Sequence, residues 1–532
     1  MMSKQEILLL GFFLALLLLV IAAGGFVLAR QVFSLDSPVD YSSTLVAVLT
    51  QEGMKDAIET QVAIGLNVES TPMSPLTELE SVPEIEEAIL PTATVAAIEG
   101  YVKYVSQQGD ILEAVAKRFQ TESNEIIVYG GLGRNGFLPV NTILWVPEKD
   151  AVIPTMERLF PDASIVNGPL DAGFDIDAFV KQTNGYLSRY TENVRGEWMS
   201  GVEIIERVAL EHSVSPKMLL ALLEYQSGWV LADDAAMQYV QYPIGYSIYS
   251  SQGLYEELYI AGRQLEFGYY GWRDGSSITV KFGDGQIAAL DPTLNAGTAA
   301  FAKLMSSLYT HQSWAPVVSA QSDFAALYRK MYGNPWLAVE QLPQFIPNDL
   351  AQPELVLPFP VGENYHLTSG PHRAWGLGSP WAAVDFAPAD MLKGCIVSPF
   401  WVTAAAAGEV VRVDNGVVVI DMDQDGFEQT GWVLFYLHIS AKDRVTEGMI
   451  VNVDDPLGHA SCEGGTSTGS HVHFARKYNG EWMPAGGAVP MVLSGWKVVE
   501  GKAEYQGQLE RDQSLVFAYR YSIADSLIRR ER

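Results

Sequence analysis

Residues 461–474 read SCEGGTSTGSHVHF, and the pair His471-Val472-His473 near the end decides what the C-terminal third of the chain is. Alternate side chains of a strand share a face, so on a strand both imidazoles look into one site while Val472 and Phe474 face a core. On a helix the same two positions do not face each other. The run before the pair is small and polar, which suits a loop that passes close to a substrate. A lone H-x-H also fits two surface histidines, so its surroundings have to decide. Six of the chain's eight histidines fall between His366 and His473. From about residue 358 the sequence is strand-rich. Residues 402–411, 417–421, 432–438, 445–453 and 457–460 alternate or run apolar between Gly and Asn turns.

Several motifs follow in order here: Asp385 in AVDFAP, the turn Gly408-Glu409-Val410-Val411, Tyr436-Leu437-His438, Gly448, Gly458, and Ser467–Phe474, read as STGSHVHF. This order resembles the LytM/lysostaphin-type zinc endopeptidases over roughly residues 355–500. In most of that family a metal histidine stands four positions before the aspartate; here the position is Trp381, which cannot ligate. Gly370-Pro371-His372 lies further upstream. That longer spacing, the run 462–469 and Tyr478-Asn479-Gly480 resemble the beta-lytic (staphylolytic) branch. Carried over residue by residue, the resemblance implies Zn2+ held by His372, Asp385 and His473. His438 and His471 are implied as the catalytic pair, general base and oxyanion stabiliser. Two imidazoles and one carboxylate leave a fourth position for water, the arrangement of catalytic zinc. Cys462 matches a bridged position of the branch. The resemblance implies a disulfide, here to Cys395, because the strand that usually supplies the partner (around 410–420) has no cysteine. His366 stands as the substitute ligand should His372 not serve. His459 lines the cleft or bonds backbone, and His212 and His311 belong to the helical region's surface or core.

Upstream, residues 7–29 form an uncharged apolar run between Lys4 and Arg30, long enough to span a bilayer. An uncleaved anchor and a cleaved signal ending near Val27-Leu28-Ala29 both fit it. Residues 31–97 read as an acidic, Pro/Thr-rich stalk that buries little. From Tyr101 the pattern is strand, helix, helix, strand. Tyr104-Val105, Gly109-Asp110-Ile111-Leu112, Phe119 and Leu144-Trp145-Val146-Pro147 resemble a LysM module, which implies binding of N-acetylglucosamine-containing glycan.

Residues 155–345 read as helical, with apolar spacing over 200–223 broken at Ser-Val-Ser-Pro. The run 222–229, LLEYQSGW, and the later DPTLNAGT resemble the lytic transglycosylase and goose-lysozyme group. The glutamate acid of that group falls on Gln226, which cannot donate a proton as an acid. The expectation is a lysozyme-like domain that holds glycan without cleaving it, with Glu224 as the substitute acid in a rival glycosidase reading. Tyr225, Trp229, Tyr270 and Trp272 are candidates for sugar stacking or for core. Asp421-Met422-Asp423-Gln424-Asp425-Gly426 starts like a calcium loop, but the expected bidentate Glu falls on Trp432, so a hairpin turn is the reading.

The chain has 63 Asp+Glu against 34 Lys+Arg and no basic stripe, which argues against nucleic acid as a partner. The sequence therefore predicts a multidomain chain: transmembrane anchor or signal (1–30), stalk (31–97), small α/β LysM-like module (98–149), all-α lysozyme-like domain (155–345), mostly antiparallel β metallopeptidase domain (352–505), and a terminal strand with a solvated tail (506–532). The expected function is that of a membrane-anchored zinc metalloendopeptidase with its domains extracytoplasmic, or secreted if the segment is cleaved. Its expected partners are peptidoglycan peptide and glycan, with a non-catalytic wall-binding scaffold or hydrolase activator as the alternative.

Overall fold

The computed structural model describes residues 97–131, 136–149, 155–232, 240–246, 252–389 and 394–531. The expected anchor and, but for Ala97, the stalk lie outside them. Among the described residues no helix is long and apolar enough to cross a membrane.

Strand β1 (Tyr101–Val105), helix α1 (Leu112–Arg118) and strands β2 (Ile127–Val128) and β3 (Ile143–Pro147) make the first module, its sheet ordered β1-β3-β2. Its small core gathers Tyr104, Leu112, Val115, Phe119, Ile126, Leu144 and Val146. The second helix expected here is absent. Residues 122–125 turn on the Glu125 carboxylate, which accepts from Thr121 Oγ1, and the β-branched pair Ile127-Val128 joins β3 instead. Asp110 organises the first turn: it accepts from Tyr104 OH at 2.6 Å and pairs with buried Arg118.

The helical region contains α2 (Ile176–Thr183), α3 (Gly201–His212), α4 (Pro216–Ser227), α5 (Leu254–Arg273), α6 (Ala296–Leu308) and α7 (Asp323–Tyr332), with shorter helices between and after. The expected break is real. Ser200 and Glu203 form a capping box on α3, Ser213 closes it in the left-handed conformation, and Ser215 with Pro216 starts α4. Gly228 ends α4 at φ +69°, a conformation that suits glycine. Trp229, Tyr270 and Trp272 are buried core, not a sugar platform.

The C-terminal domain is built on a nine-stranded antiparallel sheet. Its strands are β4 (Asn364–His372), β5 (Ala383–Pro388), β6 (Gly408–Asp414), β7 (Val417–Asp421), β8 (Trp432–Leu437), β9 (Ile450–Val451), β10 (Val472–Tyr478), β11 (Glu481–Trp482) and β12 (Leu527–Arg529). The order is β9-β6-β7-β8-β10-β5-β4-β12, with β11 beside β10. Only Ile450–Val451 of the expected strand over 445–453 pairs. The tail is no solvated appendage: β12 closes the sheet against β4, and Arg530 is buried, donating to the carbonyls of Leu357 and Phe359. The acidic turn after β7 is a hairpin in which Asp421 accepts from the backbone N–H of Asp423 and Gly426.

Side-chain alternation separates the two faces of this sheet. Val384, Phe386, Leu434, Tyr436, Val472 and Phe474 face one core with Leu357, Phe359 and Leu457. Val433, Phe435, Leu437, Ala475 and Ala383 face the other way, into a core continuous with that of the helical region. All described residues fall in one compact unit, and the seam is polar as well as apolar. Arg273 pairs with Glu481 and with Asp162 at 3.0 Å each and donates to the Gln108 carbonyl of the first module.

Beside that seam His212 Nδ1 lies 2.6 Å from Glu266 Oε2, both buried. Burial, then Arg263, pushes His212 from 6.5 down to about 3, whereas burial raises Glu266 well above its usual 4.5. The folded pair thus keeps one proton through neutral pH, whichever partner carries it. Unfolded, the same two groups hold none above 6.5 and two below 4.5. This pair's contribution is therefore fully present between those values and is lost as pH rises above 6.5 or falls below 4.5. Unfolding free energies of wild type and Glu266→Gln between pH 6.5 and 8 should diverge. The wild type loses up to about 1.4 kcal/mol more per pH unit, and parallel curves would refute the shared proton.

Candidate active site

Register builds the site. Strand β10 pairs with β5 so that His473 stands opposite Asp385, and with β8 so that His473 stands opposite Leu437. Side chains directly opposite on antiparallel strands are neighbours on one face. His372 reaches the same face only through an irregularity. On β4 Ser369 pairs with Asp385 and His372 with Ala383, and the register shifts between them. Strict alternation from Ser369 would turn Pro371 toward Asp385 and His372 away; the one-residue bulge reverses this.

The atoms that converge are His372 Nε2, His473 Nδ1 and Asp385 Oδ1. The two ring nitrogens are 3.0 Å apart, and the carboxylate oxygen is 3.3 Å from the first and 3.2 Å from the second. Their tautomers follow from their outer bonds. His372 Nδ1 lies 2.9 Å from the Gly370 carbonyl, and His473 Nε2 lies 2.9 Å from the Ala374 carbonyl. A carbonyl only accepts, so these nitrogens carry the hydrogens, and in the neutral rings the two inner nitrogens present lone pairs. Asp385 Oδ1 is buried without a hydrogen-bond partner. Two lone pairs and an ionised oxygen crowding one point call for a cation. The spacings match the edges of a tetrahedron of roughly 3.3 Å, as bonds of about 2.0–2.1 Å require. Burial works against Asp385's charge, but His372 foremost and then His471 hold its carboxyl well below the usual range. Burial pushes the His473 imidazolium down, which favours the neutral form a metal needs.

His438 and His471 flank this trio. Their rings lie 4.5 Å apart, and His471 Nε2 is 3.6 Å from Asp385 Oδ2. His438 Nδ1 donates to the Glu463 carbonyl and His471 Nδ1 to the Gly469 carbonyl, both at 2.8 Å, so each neutral ring offers Nε2 as an acceptor. Burial, then His471 and His473, pushes His438 well below the ordinary imidazole value. His438 sits at φ +68°, a strained conformation for a side-chain residue that turns its ring off the end of β8. His471 is the most open of the set, its side chain 15% exposed.

The loop that carries Glu463 and Gly469 is tied down by a Cys395–Cys462 disulfide, the bridge the resemblance implied. His366 is outside the site, bonded to Ser526 Oγ. His459 bonds the Phe400 carbonyl and stacks on Trp401, and His212 is core. Glu224 is no substitute acid: its carboxylate accepts from the N–H groups of Val230 and Leu231, holding the chain after α4. Gln226 reaches Tyr309. Sequence reasoning missed Tyr505, whose ring stacks on His372 at 4.9 Å and 25°. It lies outside every motif, and only the pairing of its backbone with Gly370 and Pro371 places it there.

A family model described as "Peptidase family M23" matches residues 396–484, which include His438, His471 and His473 but neither His372 nor Asp385. The C-terminal domain is a family M23 peptidase domain. A second model, "LasA, N-terminal domain", matches residues 158–345, the helical region. Protease LasA of Pseudomonas aeruginosa is 26% identical over 358 residues, 64% of this chain and 78% of that protein. Beta-lytic metalloendopeptidase of Lysobacter enzymogenes is 28% identical over 167 residues, 31% of this chain and 88% of that protein. Among solved structures, the M23 metalloprotease pseudoalterin is 24% identical, covering 32% of this chain and 98% of its own, with a TM-score of 0.27. The chain carries an M23 peptidase domain and is homologous to protease LasA and beta-lytic metalloendopeptidase.

The bridge closes a loop across a sequence separation of 67 residues. Replacing both cysteines by serine should cost about 2–4 kcal/mol of stability. Denaturant unfolding monitored at the tryptophans measures it, and no loss would show that the fold holds the loop unaided.

Proposed function

We propose that this chain is a zinc metalloendopeptidase that hydrolyses peptide bonds of peptidoglycan. The observation that carries the reading is the convergence of two imidazole lone pairs and one unpartnered carboxylate oxygen within 3.3 Å, with two further histidines beside them. His372 Nε2, Asp385 Oδ1 and His473 Nδ1 would hold the zinc. When bound, zinc supplies a Lewis acid that polarises the scissile carbonyl and acidifies water.

The chain's own groups do the rest. The Gly370 and Ala374 carbonyls fix the ligand rings in the tautomer a metal requires. His438 and His471 each present Nε2 toward the reacting peptide. The neutral ring takes a proton from the attacking water at Nε2, and in its charged form it donates that proton toward the oxyanion or the leaving amine. Tyr505 screens the outer face of His372 from water. Opening the site at His471 lets an extended peptide enter past the small side chains of 464–470. The family resemblance implies a glycine at the scissile bond.

The other parts fit a wall-directed enzyme. The first module is a candidate reader of N-acetylglucosamine-containing glycan. The helical domain, lacking an acid at Gln226 and using Glu224 structurally, serves without cleaving sugars. The disulfide agrees with an oxidising, extracytoplasmic location, reached on the 7–29 segment as an anchor or after its cleavage.

Digestion of purified sacculi by the zinc-loaded full chain, followed by end-group analysis, tests the reading. New amino termini with no new reducing sugar ends are expected, and His471→Ala should lower their rate at least about a hundredfold. New sugar ends would make it a glycosidase. Neither kind of end, with sacculi still bound, would make it a scaffold.

A further inference from the structure

Beside the site the chain carries an exposed aromatic ladder that the reaction does not use. Residues 507–511 and 514–517 form a hairpin in a separate four-stranded sheet. Its buried face is Val498, Leu509 and Val516. On the opposite face Leu515 and Phe517 point to solvent, and Tyr519 and Tyr521 are exposed on the segment that follows. Phe517 is 44% exposed, Tyr519 48% and Tyr521 63%. With Tyr505 they make up four of the eight exposed large aromatic side chains among the described residues, within a short stretch of chain. A sheet that already has its apolar face filled gains nothing from aromatics on the other, so this surface has another use.

The ladder is anchored to the strand that supplies the metal ligand. Tyr519 N–H donates to the Leu367 carbonyl at 3.1 Å, Gly370 N–H donates to Tyr505 O at 2.9 Å, and Tyr505 N–H to Pro371 O at 3.0 Å. Tyr505 in turn stacks on His372. The aromatic segment and Tyr505 are thus both tied by backbone to the strand that carries His372. The Tyr519 and Tyr521 rings lie 6.2 Å apart on the irregular segment that follows the hairpin.

We propose that Phe517, Tyr519 and Tyr521 form a glycan subsite that seats the sugar strand of the substrate while its peptide lies at His372. This rests on the peptidoglycan reading above. Such a substrate carries its peptides on a glycan, so a peptide in the site brings sugar rings onto the adjoining surface. Flat rings meet the C–H faces of pyranoses, the phenol hydroxyls of Tyr519 and Tyr521 reach sugar hydroxyls, and Arg520 lies over the Tyr521 ring, keeping it oriented.

The test uses the full chain and two probes: glycan strands stripped of peptide by an amidase, and a short soluble peptide without sugar. Hydroxyl-radical footprinting of the wild type should show Tyr519 and Tyr521 protected at least twofold by the stripped glycan. A Phe517→Ser/Tyr519→Ser/Tyr521→Ser variant should raise KM for sacculi about tenfold, with kcat and cleavage of the free peptide unchanged. Absence of protection overturns the proposal, as does an unchanged KM for sacculi. Protection that appears without glycan as protein concentration rises overturns it too, because a second copy then covers the ladder. Failure of the wild type to cut either substrate would sink the peptidase reading alone, since the footprint is independent of cleavage.

Discussion

The site depends on one cross-strand register. Pairing β10 to β5 with His473 opposite Asp385 sets an imidazole and a carboxylate side by side on one face of the sheet. A slip of one residue in β10 would send His473 to the opposite core, where Phe474 now packs, and leave Asp385 facing an apolar side chain. The hydrophobic partition of the two faces therefore fixes the chemistry as well as the fold. The register alone yields two of the three converging groups. The third needs the bulge in β4, and the extra residue that turns His372 inward belongs to the Ser369-Gly370-Pro371-His372 stretch. Burying these polar atoms is costly unless something positive lies among them, and the group they form fits a metal site.

A second constraint joins the domains. The sheet face that carries His473 continues into the core of the helical region, so the two do not form separate hydrophobic units. Arg273 secures the junction by bonding an acid from each side and a carbonyl of the first module. A guanidinium with its charge and planar donors matched this closely stays charged when buried. The Gly109-Asp110 turn of the first module thereby packs on Arg273 and is held to the helical region.

Much of this was legible in the residues. The H-x-H strand and the break between α3 and α4 could be read because each is local, whereas the long-spaced His372 was legible only through the ordered series of motifs that resembles the peptidase family. The disulfide was legible through the branch resemblance. What escaped was non-local. Ile127-Val128 pairs as strand because Trp145 and Leu144 lie opposite, which no helix pattern reveals. Arg530 looks like part of a charged tail until carbonyls from residues 357 and 359 surround it. Tyr505 comes to His372 through backbone pairing across more than a hundred residues of chain. Glu224 read as a spare acid because its two backbone donors lie beyond the end of its helix.

The most direct test of the central claim is zinc K-edge absorption spectroscopy on the full chain, wild type beside His372→Ala. The account predicts about one zinc per chain with two imidazoles and an oxygen shell at about 2.0–2.1 Å. In the variant one imidazole or the metal itself should be lost. A wild type that retains no zinc, or a variant with an unaltered two-imidazole shell, would contradict it.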